Sequence, residues 1–171
     1  MDRSKEVLPA LDSLGVSYAL FQHEPKWTIE DCFGTPGLDM SYATVPKNVF
    51  LCNRQQTAFF LLLLSPRRAF KTAVVSKLLG VSRLSFAPET LLPRLLGLVK
   101  GAVSPLGLLF DTEKRVSLVM DDALLKYQRL WFHPCVNTQS VEINTEDFLH
   151  RFLPGIGKDC RMITIPQYGG I

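Results

Sequence analysis

Apolar residues Val7, Leu8, Leu11 and Leu14 recur at helical spacing near the start of the chain, and Gly15 stands where such a helix would close. Pro9 limits where that helix can begin. The stretch "YALF", from Tyr18 to Phe21, then predicts a strand. Thr28 stands where an N-cap would, with Glu30 and Asp31 at the positive end of the helix it opens. Residues 34–45 predict a loop, punctuated by Pro36 and Gly37, with Pro46 just beyond. Two apolar runs follow, "KNVFLCN" and "TAFFLLLL", joined by the polar "RQQ". They predict a hairpin of buried strands.

Further on, "FKTAVVSKLLG" predicts an amphipathic helix closed by Gly80, and "SRLSFA" a short strand. "PETLLPRLLG" predicts a helix that opens at Pro88 and ends at Gly97, with Pro93 splitting it. The loop "KGAVSP" leads into "LGLLF", which is expected to be a strand. A turn, the strand "RVSLVMD", the short helix "DALLKY", the strand "RLWF", the turn "HPCVNT" and the strand "SVEI" come next. Thr145 is expected to cap a last helix, "EDFLHRFL", which Pro154 and Gly155 end; "CRMITIP" is expected to add an edge strand. Strands and short helices mix without strict βαβ alternation. The expected fold is therefore mixed α/β (α+β): a single mixed sheet with helices packed outside.

Composition narrows the class. At 171 residues a single domain spanning 1–171 is expected. Hydrophobic residues make up 47% and charged residues 20%, which fits a folded chain with a core and argues against disorder. A net charge of +3 permits a polyanionic partner without requiring one. The longest apolar run, Ala58 to Leu64, falls well short of the roughly 18–20 residues that span a bilayer. The first residues carry charges of both signs and no apolar core of a signal peptide, so no membrane role and a cytoplasmic location are expected. Cysteines 32, 52, 135 and 160 form no C-x-x-C pair and are expected to be free thiols. His133 and Cys135 make only a weak zinc pattern, and Cys135 fits a buried structural thiol better than a nucleophile. No metal and no cofactor are expected.

Three stretches could carry chemistry. Gly101 allows a ligand close to the main chain, and Pro105 stiffens the far end of the same loop, so backbone N–H groups there could face a carbonyl or oxyanion. An ordinary turn fits the same residues. Lys47 opens an apolar strand, where it is either a solvated rim cation or a grip on a phosphate. Asn48 would face the opposite side of a regular strand. His133 precedes Pro134, which biases it to extended geometry; it could donate, accept or position, or simply pack at a turn. Asn137 and Thr138 fit turn positions.

Taken together and in order, "KNVFLCN", "LGVSRLSFAPETLL", "GAVSPLGLLFD" and "WFHPCVNTQSVEINTEDFL" resemble the YbaK/prolyl-tRNA synthetase-associated editing family, and within it the freestanding ProX-type branch. The resemblance runs from "LDSLGV" to "EDFLHRFL". It implies a curved mixed sheet flanked by helices. It also implies hydrolysis of the ester that joins a wrong amino acid to tRNA, foremost alanyl-tRNA(Pro). The partners implied are the acceptor end of an aminoacylated tRNA and prolyl-tRNA synthetase, with no DNA. By the same resemblance Lys47, Gly101 and His133 would be catalytic. Asn48, the loop residues Ala102, Val103, Ser104 and Pro105, and Asn137 and Thr138 would bind substrate. Val49, Leu51, Leu108 and Phe132 are candidate walls of a size-selective pocket. Lys100 before Gly101, Ser140 in place of the commoner Thr, and "HEPKWTIED" in place of the usual "HPP" and "TVEE" pieces depart from the family pattern. The alternatives are the same fold acting on another small amino acid, cysteine or serine, or a tRNA-binding module without catalysis. The absence of a helix-turn-helix, an RNP aromatic pattern or a dense basic stripe weakens the last.

Overall fold

The computed structural model describes residues 2–166. In chain order it holds α1 (Ser4–Ser13), β1 (Tyr18–Gln22), α2 (Ile29–Phe33), β2 (Ala43–Thr44), β3 (Lys47–Cys52), β4 (Phe59–Leu64), α3 (Thr72–Leu79) and β5 (Ser85–Phe86). Then come α4 (Leu92–Leu96), β6 (Val116–Asp121), β7 (Arg129–Phe132), β8 (Gln139–Asn144), α5 (Thr145–Asp147), α6 (Leu153–Gly155) and β9 (Cys160–Ile163).

The mixed α/β class holds, with one correction: the strands form two hydrogen-bonded sheets and not one. A four-stranded sheet runs β1-β8-β7-β2 and a five-stranded sheet runs β5-β3-β4-β6-β9. Each mixes parallel and antiparallel neighbours; β3 and β4 are antiparallel, while β4, β6 and β9 are parallel. One apolar core joins them. Phe50, Leu61 and Leu118 from the larger sheet share a buried cluster with Leu130, Val141 and Ile143 from the smaller, and with Leu11 of α1 and Phe148 and Phe152 near the C-terminal helix. A second cluster lies on the other face of the larger sheet, where Val75 and Leu79 of α3 pack on Val49, Leu51, Leu62 and Leu64. The near-continuous apolar runs of β3 and β4 follow from this double burial.

Local signals behave as their chemistry dictates. Thr28 Oγ1 accepts the Asp31 N–H at 3.1 Å, and the Asp31 carboxylate accepts the Thr28 N–H at 3.0 Å, a reciprocal cap on α2. Asn53 Oδ1 accepts the N–H groups of Thr57 and Ala58, which closes the β3–β4 hairpin. Gly80 and Gly97 end α3 and α4 in the left-handed region.

Four local expectations need correction. "LGLLF" is not a strand: residues Pro105–Phe110 form a buried 3₁₀ segment, because Ser104 Oγ accepts the Leu106 N–H and Pro105 suits a first helical position. Residues 34–45 are not all loop, since Ala43 and Thr44 pair in parallel with Arg129 and Leu130. Asn144, not Thr145, caps the C-terminal helix; its Oδ1 takes the N–H groups of Glu146 and Asp147, while the Thr145 hydroxyl donates to the Tyr127 carbonyl. Pro9 lies inside α1, which begins before it at Ser4.

A buried ion pair ties the C-terminal region to the end of the 3₁₀ segment. Lys158 Nζ stands 2.5 Å from Asp111 Oδ2 and also donates to the Val116 carbonyl. Asp111 caps the 3₁₀ segment and accepts the N–H groups of Arg115 and Val116.

Candidate active site

A cavity of about 270 Å³ opens between the start of β3, the start of α2, the end of β7 and the loop that begins at Gly101. Lys47 and Asn48 both line it, although they are neighbours on one strand, because β3 begins at its rim. The side chain of Asn48 donates weakly to the Pro46 carbonyl at 3.3 Å, and its Oδ1 is buried without a partner. No ion pair among the described residues engages Lys47.

Residues of the loop alternate. Gly101 and Val103 line the cavity, while Ala102 and Ser104 are buried in the other direction and Pro105 enters the 3₁₀ segment. The Ala102 N–H is donated to Val99 O at 3.1 Å; among the described residues the Gly101 and Val103 N–H groups serve no protein acceptor. Gly101 has φ +85°, and a Cβ there would lie 2.7 Å from the Trp27 ring and 3.6 Å from Asn137 Nδ2. Gly101→Ala is therefore expected to displace the Trp27 indole and to cost about 1–2 kcal/mol for the left-handed backbone. Urea unfolding and the emission of Trp27 would register both effects; an unchanged midpoint and spectrum would contradict them.

His133 lies at the end of β7 with its side chain in the cavity lining. Its Nδ1 is 2.9 Å from the Gln139 carbonyl, which can only accept, so Nδ1 carries the proton and the neutral ring keeps Nε2 as an acceptor. Burial lowers the pKa of His133, the Gln139 carbonyl works against this, and the nearby His23 adds to the lowering. The neutral ring is the favoured state at pH 7.

The segment before α2 is laced to the segment before β8. His23 N–H donates to Thr138 O and Lys26 N–H to Asn137 O, each at 3.0 Å. Asn137 and Thr138 thus act through their carbonyls here and are not among the residues lining the cavity. His23 also makes two side-chain contacts: Nδ1 lies 2.8 Å from Glu24 O, and Nε2 lies 2.8 Å from Ser140 Oγ. Ser140 lines the cavity, and the rings of His23 and His133 are 5.9 Å apart.

The apolar wall differs from the sequence expectation. Phe132 lines the cavity, but Val49, Leu51 and Leu108 pack elsewhere in the two cores. Trp131 takes the place of those side chains: Phe21 stacks on it at 4.4 Å and its Nε1–H donates to the buried Glu142 carboxylate at 2.6 Å. Trp131 and His133 are two apart in an extended segment, a spacing that could have flagged Trp131. Ser140 and the segment that holds His23 and Trp27 were marked only as departures from the family pattern, with no role attached. Cys135 is buried and its thiol is pushed up to about 12, mainly by burial, so it is no nucleophile. The four cysteines are free, and among the described residues no three His, Cys, Asp or Glu side chains gather as a metal site. No described helix is long and apolar enough to cross a membrane.

A cation, a glycine-edged loop and a half-buried neutral imidazole around one small cavity suit recognition of a polar, anionic ligand end. The aminoacyl-tRNA editing domain model matches residues 23–150, beginning at His23 and spanning every element of the cavity. The chain belongs to the aminoacyl-tRNA editing domain family. It is 32% identical over 147 residues to the prolyl-tRNA editing protein ProX of Acetoanaerobium sticklandii, covering 86% of this chain and 88% of that protein. It is 30% identical to prolyl-tRNA synthetase associated domain-containing protein 1 of Danio rerio, over 90% of this chain and 82% of that one. Its fold matches a crystal structure of a candidate trans-editing enzyme for prolyl-tRNA synthetase with a TM-score of 0.74, at 16% identity and over 99% of both chains.

Proposed function

We propose that this chain is a trans-editing deacylase that hydrolyses the ester of mischarged tRNA(Pro), with alanyl-tRNA(Pro) as its foremost substrate. The observation that carries the proposal is the convergence of Lys47, Asn48, Gly101, Val103 and His133 on one cavity. Lys47 grips the phosphate or sugar region of the terminal nucleotide as a point charge. The N–H groups of Gly101 and Val103 stabilise the developing oxyanion. Asn48 Oδ1, unpartnered in the protein, accepts from the α-ammonium group. His133 Nε2 orients the attacking water. An aminoacyl ester is activated, so positioning and oxyanion stabilisation suffice without a strong nucleophile.

Editing is needed because a proline site rejects a smaller side chain by only a few kcal/mol, about 1–3 per methylene. The action is placed in the cytoplasm, with prolyl-tRNA synthetase as the protein that produces the substrate. The test is deacylation of alanyl-, cysteinyl-, seryl- and prolyl-tRNA(Pro) by the wild-type protein. Rapid loss of alanine with prolyl-tRNA(Pro) intact is the expected result. Loss of cysteine or serine instead would keep the chemistry and change the substrate. Binding of all four with cleavage of none would make the chain a recognition module.

A further inference from the structure

We infer that Ser140 and His23 form a proton relay on the cavity wall, and that the relay takes the proton of the attacking water. This rests on the deacylase reading above and adds two residues to it. Three observations carry it. Ser140 lines the cavity beside His133, yet its residue is only 5% exposed, so its hydroxyl has few protein-independent partners. That hydroxyl stands 2.8 Å from His23 Nε2. The opposite ring nitrogen of His23 is 2.8 Å from the Glu24 carbonyl, which can only accept. In the neutral ring, Nδ1 therefore carries the proton and Nε2 is the acceptor of the Ser140 hydroxyl. A hydroxyl, a histidine behind it and a carbonyl that fixes the tautomer are the three parts of an acid–base unit.

The environment of the two histidines divides the labour between them. His133 is partly buried and its pKa is lowered, chiefly by that burial, which suits an acceptor that stays neutral. His23 is likewise partly buried, and it is the ring whose Nε2 faces the Ser140 hydroxyl. The ring is also anchored by its own backbone, whose N–H donates to Thr138 O across from Ser140. The Phe21↔Ser140 and Gln22↔Gln139 pairings of β1 and β8 bring the two residues together although they are 117 positions apart.

The steps balance. As the water oxygen bonds to the ester carbonyl carbon, one water proton passes to Ser140 Oγ while the Ser140 proton passes to His23 Nε2. The carbonyl π pair becomes the oxyanion held by the loop. On collapse the carbon–oxygen bond to the ribose breaks and its electron pair stays on the ribose oxygen. The proton returns from His23 through Ser140 to that oxygen, leaving a free amino acid and a tRNA with its hydroxyl restored. Ser140 forms no bond to carbon. Ser140 is the catalytic residue of the pair and His23 acts through it.

The test is single-turnover deacylation of alanyl-tRNA(Pro), with the rate constant at saturating protein separated from the half-saturating concentration. Ser140→Ala and His23→Ala are each expected to lower the rate constant about 100-fold, the lower end for a lost acid–base group, with half-saturation moved less than threefold. The double variant is expected to lose no more than either single one, because one unit is removed once. Ser140→Thr keeps the hydroxyl and is expected to stay within a few-fold of wild type. His23→Gln keeps a hydrogen-bonding side chain but takes no proton, and is expected to be as slow as His23→Ala. Wild-type rates for Ser140→Ala, multiplicative losses in the double variant, or restoration by His23→Gln would each overturn the relay. So would an aminoacyl group trapped on Ser140 in a quenched reaction. If the wild type cleaves none of the aminoacyl-tRNAs, the deacylase reading falls and the relay with it. Cleavage that ignores Ser140 overturns the relay alone.

Discussion

Lys47→Ala is expected to slow deacylation of alanyl-tRNA(Pro) at least about 100-fold at saturating protein, the scale set by losing the register of a bound substrate. Lys47 is the first residue of β3 and pairs with Leu64 of β4, so its backbone is fixed by a strand that is buried beyond its first two residues. Its charge is not spent on a carboxylate among the described residues. A cation held on a rigid strand end gives up less freedom on binding a phosphate than a free surface lysine. Removing it costs the terminal nucleotide its anchor, and the ester then no longer rests against the Gly101 and Val103 N–H groups. Lys47→Arg is expected to restore little, because a planar fork replaces a compact ammonium in the same space. A single-turnover assay on the three proteins decides this. An alanine variant as fast as wild type would remove Lys47 from the chemistry of the cavity.

Stability should depend most on a residue far from that chemistry. Lys158→Ala is expected to destabilise the fold by about 3–5 kcal/mol, because it leaves a buried carboxylate without its counter-ion. Lys158 is 8% exposed and Asp111 5%, and their contact is 2.5 Å. Burial acts to raise the pKa of Asp111, but the Lys158 ammonium and the N–H groups of Arg115 and Val116 outweigh it and hold the carboxyl below its usual value. A carboxyl lowered in the folded state contributes stability that is complete above the ordinary value of about 3.9 and is lost as pH falls through the lowered one. Without Lys158 the carboxyl is no longer held low, so this acid-dependent loss of stability should disappear and the gap between variant and wild type should narrow as pH falls. Urea and acid titrations followed by circular dichroism would show both shifts. Equal midpoints in the two proteins would mean that water reaches the pair.

Much of the fold was legible wherever the signal was local. The Thr28 cap, the hairpin of β3 and β4, and the glycines that end α3 and α4 each act on neighbours within a few positions. Features that depend on distant partners were not. The two residues of β2 are a strand only because β7 lies beside them, and Asp111 meets Lys158 across 47 positions. The run "LGLLF" shows why apolarity alone misleads: a short apolar run fits a strand or a tight helix, and the serine before Pro105 decides. In the site, the lysine, the loop glycine and the histidine were visible as motif positions. Trp131 was signalled only by its two-residue spacing from His133, and the His23–Ser140 contact was hidden because it spans 117 positions.

The two tryptophans of the chain make the cavity its own optical gauge. Trp27 stands at the mouth, 66% exposed and over Gly101, whereas Trp131 is 2% exposed, stacked on Phe21 and hydrogen-bonded to Glu142. One indole therefore emits from water and the other from an apolar, hydrogen-bonded interior. A dissolved collisional quencher reaches the first and spares the second. Any molecule that fills the cavity shields Trp27 from the quencher, so occupancy can be followed in unlabelled protein, whether or not the occupant is cleaved.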